Sequence, residues 1–456
     1  MLTSLKTLSL IRTVVFLTSI LFFSKLQGQT ILNNYLKIGL ENNLALKQKG
    51  FDLERARLDL KRAQTLFFPQ ASINSQYLLA SGGRTQDLPV GDLLNGVYST
   101  LNQLTASNKF PQVTNQSIKF LPNNYQDTRM EITLPVVNTD IKYNRDIKKE
   151  WINSRQADID VYKRDLVKNI KQSYYQFLQS AKAVSIFKNA LSVVRENLRV
   201  SEKFVQNNMA TKEIVLRAQA QVSQVETSVI ESTNNMQNAT AYFNFLINQP
   251  LETPIEIDSS IAEQINTNLK LNADSQTTRE ELLKLRSSKR LLESKLRMDE
   301  AFLIPTLNAF YNVGYQGYGF KFNSDQFYQL GGLQLRWNIF KAGDNKYKVQ
   351  QSRIDIDAIS NQYNDVVNQL NLEQKTAFNN YASSVQSLES SNDEVQSSRE
   401  TYRLAERRFK EGKALQIELI DARTQMTRAE LKYSLAQLAV LSASAEVERV
   451  NATYKF

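Results

Sequence analysis

A chain of 456 residues is long enough for two or three ordinary domains, yet it holds only 14 Gly and 8 Pro, the residues that punctuate structure. It has no Cys and no His, which excludes disulfides, thiolate nucleophiles, lipidated cysteines and imidazole bases. Its 56 Lys and Arg against 46 Asp and Glu leave +10, a mild excess that reads as solvated helical faces rather than a nucleic-acid site. A carboxylate-only metal site would need a tight Asp/Glu loop, and the sequence shows none. An enzyme, a metal or a cofactor is therefore not expected.

Residues 1–28 read as an export signal. Lys6 and Arg12 precede the apolar run Thr13–Phe23, and Gly28 offers a cleavage point before Gln29. The alternative is an anchor helix, but about eleven apolar residues fall short of the roughly 20 a bilayer needs. The signal holds three basic residues and no acid, so the mature chain would carry about +7.

A first helix is expected over about 31–66, carried by Leu36, Leu40, Leu44, Leu53 and Leu60. Pro69 stops it, because Pro disfavours helical geometry in the preceding residue. The period then falls to two. Ala71, Ile73, Ser75 and Tyr77 share one face and Ser72, Asn74 and Gln76 the other, which predicts a strand at about 70–80. A second, at about 127–137, sets Met130, Ile132, Leu134 and Val136 against Arg129, Glu131 and Thr133. Between them, about 81–127, Gly82, Gly83, Gly91, Gly96, Pro89, Pro111 and Pro122 mark a long turn-rich loop.

From Val136 to Gln249 there is neither Gly nor Pro. A helical hairpin is expected over about 139–247, its first arm about 100 Å long at ~1.5 Å per residue. Its tip falls at Asn207, Asn208 and Thr211. Pro250 and Pro254 end it, and residues to about 275 read as a linker and small side domain.

The chain then repeats itself. A helix ends at Pro305; strands at about 306–316 and 328–340 follow, with Leu333, Leu335, Trp337 and Ile339 alternating with Gln334, Arg336 and Asn338. Phe310 interrupts the polar row of the earlier strand. A second hairpin spans about 344–453, its tip at Gly412, Lys413 and Leu415. Ala218, Val222, Val225, Val229, Ser232, Met236, Ala239, Phe243 and Leu246 step by fours and threes. Adding 204 gives Ala422, Met426, Ala429, Tyr433, Ala436, Val440, Ala443, Val447 and Val450. The chain is thus two tandem units, 29–250 and 251–456, each helix-strand-strand-helix-helix. The 4–3 spacing is that of a coiled-coil seam.

Four strands of about ten residues, apolar on one side, suit either a membrane barrel or a soluble sheet over a core. Four strands leave two edges, and open edges are not tolerated in lipid. A membrane reading therefore requires several chains to share one barrel.

The layout resembles the TolC-like outer-membrane efflux protein family across the mature chain. The duplication, Pro69 and Pro305 at the helix-to-strand junctions, and Leu333–Phe340 followed by Lys341-Ala342-Gly343 carry the resemblance. So does the tip pattern from Phe409 and Gly412 through Leu415 to Glu418, Asp421 and Ala422. The resemblance implies an α + transmembrane β fold: a homotrimer with a 12-stranded β-barrel in outer-membrane lipid, continued by a long α-helical barrel in the periplasm of a Gram-negative cell. It implies a passive exit channel of a tripartite efflux or type I secretion system. A periplasmic adaptor (membrane fusion protein) and an inner-membrane transporter of RND or ABC type would be its partners, with the hairpin tips as adaptor contacts.

It also places a periplasmic gate at Glu418, Asp421 and Phe409. Three converging carboxylates would focus a negative potential. The competing reading makes both acids ordinary first-turn residues facing a helix N-terminus. The family's hydroxyl-bearing aromatic is Phe409 here and its Arg is Ala414, so a Tyr–Arg lock cannot form. A periplasmic adaptor, with one hairpin and several β-domains, or a structural coiled-coil protein of the envelope are the alternatives. The cargo is not written in the sequence.

Overall fold

The computed structural model describes residues 30–121, 123–258, 261, 265 and 279–456; the signal segment and most of the side domain expected near 275 lie outside them. The helices are α1 (Thr30–Asn42), α2 (Leu44–Thr65), α3 (Val90–Thr105), α4 (Thr139–Gln206), α5 (Lys212–Leu246), α6 (Glu280–Glu300), α7 (Asp344–Lys410) and α8 (Gln416–Val450). The strands are β1 (Gln70–Leu78), β2 (Thr85–Leu88), β3 (Gln116–Lys119), β4 (Tyr125–Val137), β5 (Thr306–Tyr318) and β6 (Phe327–Arg336). Two compact units cut across both copies. One contains residues up to 57 with 150–290 and 356–456; the other contains 58–149 and 291–355. No helix among the described residues is long and apolar enough to cross a membrane.

The first unit is helical, and its core follows the repeated seam. Ala218, Val225, Ala239, Phe243 and Leu246 are buried on α5, and Ala422, Ala429, Ala436, Val440, Val447 and Val450 on α8. The expected first helix is two. Asn43 interrupts it, because its side chain has better partners than a helical one: Nδ2 donates to the Leu246 carbonyl at 2.9 Å, and Oδ1 accepts from the Leu46 N–H at 3.0 Å and the Tyr162 hydroxyl at 3.2 Å. Asn43 thereby caps α2. Gly39 lets α1 approach α4 closely; a Cβ there would sit 2.3 Å from Ile170 Cδ1.

Aromatic side chains fasten the segment that follows α5. The Tyr174 hydroxyl donates to the Glu256 carbonyl at 2.9 Å and accepts from the Asp258 N–H at 3.1 Å, while Tyr35 accepts from the Glu256 N–H at 3.0 Å. Burial pushes the Tyr174 phenol up to about 12, and the neighbouring Asp258 and Glu256 charges act in the same direction. In the unfolded chain the phenol ionises near 10, so the folded state binds its proton more tightly. That contribution is complete below pH ~10 and is lost as pH rises towards ~12. We expect Tyr174→Phe to cost about 1–3 kcal/mol at neutral pH by orphaning two backbone groups, and to flatten the alkaline loss between pH ~10 and ~12. Urea titrations at several pH values would show it; identical alkaline slopes in both proteins would count against Tyr174.

The second unit holds an antiparallel sheet in the order β1-β4-β5-β6. Its register puts like with like. Ile73, Met130, Val313, Ile132, Tyr311, Leu134, Ala309 and Leu333 share one face; Ser72, Asn74, Asp127, Arg129, Glu131, Asn308, Asn312 and Gln334 share the other. On the polar face Arg129 pairs with Asp127, and Asn74 donates to Glu131 at 3.2 Å. Among the described residues no layer covers the apolar face: Ile73 is 78% and Leu333 69% exposed. Its few polar atoms pair with each other, Ser75 with Thr128 at 2.8 Å and Tyr311 with Gln329 at 2.8 Å.

Two strand readings are corrected. The register shifts between Pro135 and Val137, so Val137 opposes Leu307 and Val136 drops out of the apolar row. β6 ends at Arg336, four residues early, and the Trp337 indole N–H donates to the Leu303 carbonyl at 3.0 Å instead. Phe310 is accommodated on the polar face because its partner is Gly332; a Cβ there would lie 3.0 Å from the ring. Pro69 and Pro305 stand immediately before β1 and β5. The loop read as turns contains α3 and the β2–β3 ribbon.

Candidate functional site

Both hairpin tips turn by the same chemistry. α4 ends with Asn208 at φ 55°, where the Met209 N–H reaches the Phe204 carbonyl at 2.8 Å and the Asn208 N–H the Val205 carbonyl at 3.0 Å. α7 ends with Gly412 at φ 71°, where Lys413 N–H reaches Arg408 O at 2.8 Å and Gly412 N–H reaches Phe409 O at 3.0 Å. Each is a Schellman stop, and a left-handed residue is its requirement, hence Asn and Gly. Asn207, Asn208, Thr211, Gly412, Lys413 and Leu415 are all exposed around these turns. So are four apolar side chains: Met209, Leu216, Leu415 and Ile417.

The three expected gate residues have different surroundings. Phe409 is buried. It packs with Tyr402, Leu419 and Ala422, and its ring lies 5.9 Å from that of Phe204 on α4. It therefore joins the two hairpins and faces no open space. Glu418 sits in the first turn of α8. Its Oε1 accepts from the Leu415 N–H at 3.3 Å and its Oε2 lies 3.6 Å from Arg408 Nη1. This is half of a capping box, because Leu415 has no side-chain acceptor to complete it. Asp421 is exposed and accepts from Gln425 at 2.9 Å. Of the two acids only Glu418 lies in the first turn of α8; Asp421 sits beyond it and is the more available carboxylate.

Two further residues complete the tip: Gln416, expected on the adaptor-facing surface at 413–416 but buried, and Arg423, which the sequence reading passed over. Gln416 is buried, and its Nε2 donates to Ser201 Oγ at 2.9 Å and to the Ile214 carbonyl at 3.0 Å. One amide thus clamps α8 to both arms of the other hairpin. Arg423 is 6% exposed, with its guanidinium 5.2 Å over the Tyr402 ring and Nη1 3.7 Å from the Met426 sulfur. Its Nε has no hydrogen-bond partner among the described residues. Gln416 sits inside the tip motif, but its contacts are residues about 200 positions away, which no local pattern reveals. In the first copy, Arg217 pairs with Glu213 at 2.6 Å. Among the described residues no three acids gather where a metal ion would sit.

The clamp has a measurable consequence. Gln416→Ala removes two hydrogen bonds between hairpins, to Ser201 and Ile214, a cost of about 1–3 kcal/mol at roughly 0.5–1.5 each. Amide exchange at 207–215 and 411–419 is expected to quicken about 5- to 100-fold. Unchanged exchange in those segments would show the clamp to be idle.

Residues 273–452 match the outer membrane efflux protein family model. The resemblance to TolC-like outer-membrane efflux proteins holds. No curated protein matches the sequence. Solved structures match over nearly the whole chain. The outer-membrane channel OprN has a TM-score of 0.70 at 16% identity, covering 92% of this chain and 89% of its own. The Campylobacter jejuni CmeC outer membrane channel gives 0.73 at 12%, covering 92% and 85%. The open state of the Neisseria gonorrhoeae MtrE outer membrane channel gives 0.73 at 15%, covering 92% and 88%. At these identities the likeness is one of fold. It spans both copies, whereas the family model spans the second alone.

Proposed function

We propose that this chain is the outer-membrane exit channel of a tripartite efflux or type I secretion system, and that it works as a homotrimer. One observation carries the reading: a four-stranded sheet whose apolar face is uncovered and whose edges, β1 and β6, are free among the described residues, in a chain with the fold of outer-membrane channels. Three copies joined edge to edge make twelve strands and leave no edge. About ten residues per strand at ~3.3 Å, tilted ~40°, span about 25 Å, the height of a barrel's apolar band. Aromatic residues bracket that band. Tyr77, Tyr315, Phe320, Phe322 and Phe327 cluster at one end, and Trp337 and Phe340 lie exposed at the other.

The long hairpins then extend the channel into the periplasm. Their tips, with Met209, Leu216, Leu415 and Ile417 exposed, meet a periplasmic adaptor, and an inner-membrane transporter of RND or ABC type supplies the energy. Asp421, with Glu418 behind it, lines the narrow end. Cargo passes down its gradient through a duct that performs no chemistry. Light scattering on detergent-solubilised mature chain should return three chains, and planar bilayers should show unitary conductance steps. A single-chain particle soluble without detergent would end the proposal, and would favour the structural coiled-coil alternative.

A further inference from the structure

The β1–β4 loop contains a built element that the channel reading does not use. α3 runs from Val90 to Thr105, and asparagine side chains fasten the returning chain along one side of it. Asn95 donates to the Val113 carbonyl at 2.9 Å and accepts from the Val113 N–H at 2.8 Å. Asn102, two turns on, does the same with Phe110, at 2.7 and 3.0 Å. Asn115 accepts from the Gly91 N–H at 2.9 Å and the Asp92 N–H at 3.1 Å, and donates to the Asp92 carboxylate at 3.0 Å. Gly91 permits this contact, since a Cβ there would meet the Val113 carbonyl at 2.3 Å. The helix is held in place and its polar side is occupied.

Its other side is apolar and bare. Leu93 is 70%, Val97 54% and Leu104 78% exposed. Thr100 lies in the same row and bonds its hydroxyl back to the Gly96 carbonyl at 3.0 Å, which leaves its methyl outward. The steps 93, 97, 100, 104 are four, three, four, the spacing of a seam between helices. Gly96 beside it has open space around it.

We propose that the α3 helices of three copies pack on one another through Leu93, Val97, Thr100 and Leu104, forming a helical cap over the outer mouth of the channel. The inference rests on the trimeric reading above. Charge selects this occupant over lipid. A helix that lies on a membrane surface presents Lys and Arg on its polar side. α3 has no basic residue, and its one charge, Asp92, is held by Asn115. On a threefold axis each side chain meets its own copies, so only an uncharged row is tolerated, which this one is. The loop also springs from β1, the edge where the next copy joins. Reach is sufficient: a twelve-stranded barrel tilted by ~40° has a radius of about 12 Å, and four residues of ribbon cover about 13 Å. Three apolar residues per chain bury too little to hold copies together unaided, so the cap follows from strand pairing and does not cause it.

The natural absence of Cys makes the test clean, because any introduced thiol is unique. Val97→Cys and Leu104→Cys, made separately in the full-length protein in outer-membrane vesicles, should give reductant-sensitive dimer bands on mild oxidation. Ser99→Cys, on the pinned side, should not. Bridged Val97→Cys should lower unitary conductance at least twofold, with recovery on reduction; unchanged conductance would overturn the placement over the mouth. Absence of cross-links at both positions, in particles that scatter as three chains, would overturn the cap and leave the channel reading standing. Brominated lipid that quenches a fluorophore attached to the thiol of the Val97→Cys variant would overturn it too, by placing α3 on the membrane. A one-chain mass would remove the channel reading and the cap together.

Discussion

Leu333→Arg is expected to abolish recovery of the chain from the outer-membrane fraction, while Gln334→Arg next to it leaves the yield unchanged. The two residues are adjacent on β6 and point to opposite faces: Leu333 pairs with Ala309 in the apolar row, Gln334 with Asn308 in the polar one. Leu333 lies near the middle of the strand, where arginine on the lipid face of a barrel costs about 2–4 kcal/mol. A trimer incurs that cost three times, about 6–12 kcal/mol, comparable with the whole stability of a domain. The alternative reading makes the opposite prediction. On a soluble sheet Leu333 is already 69% exposed, and an exposed substitution there changes stability by no more than about 0.5 kcal/mol. Fractionation and detergent-phase mass of the two variants separate the readings. Normal assembly of Leu333→Arg would rule out lipid on that face.

The second large effect concerns ion selectivity. Asp421→Ala should lower the preference for cations over anions by about tenfold, because three like charges converging on an axis produce potentials of several kT. Glu418→Ala should act mainly on the fold of the tip. Its carboxylate is shared between the Leu415 N–H and the Arg408 guanidinium. Losing that cap costs about 1 kcal/mol and releases Arg408. Reversal potentials across a salt gradient distinguish the two, and a wild-type reversal potential in Asp421→Ala would remove the carboxylate ring from the mechanism. The aromatic at this end plays a separate part. With Phe409 packed against Phe204, Phe409→Ala is expected to loosen the contact between hairpins rather than alter selectivity directly.

What the amino-acid sequence determined by itself was whatever repeats. The 204-residue offset, the 4–3 seam, the alternation in the strands and the stops at Asn208 and Gly412 are local or periodic, and each is enforced by backbone geometry that needs no distant partner. The tertiary structure decided what depends on one side chain finding another far along the chain. Asn43 breaks a helix because Leu246 and Tyr162 are there to receive it. Gln416 becomes a clamp only through Ser201 and Ile214. The same holds for α3: its Gly and Pro residues read as turns, yet Asn95, Asn102 and Asn115 order the segment by pairing with backbone groups 8 to 24 residues away. A polar side chain has many local options of similar energy, and only the packed chain selects among them.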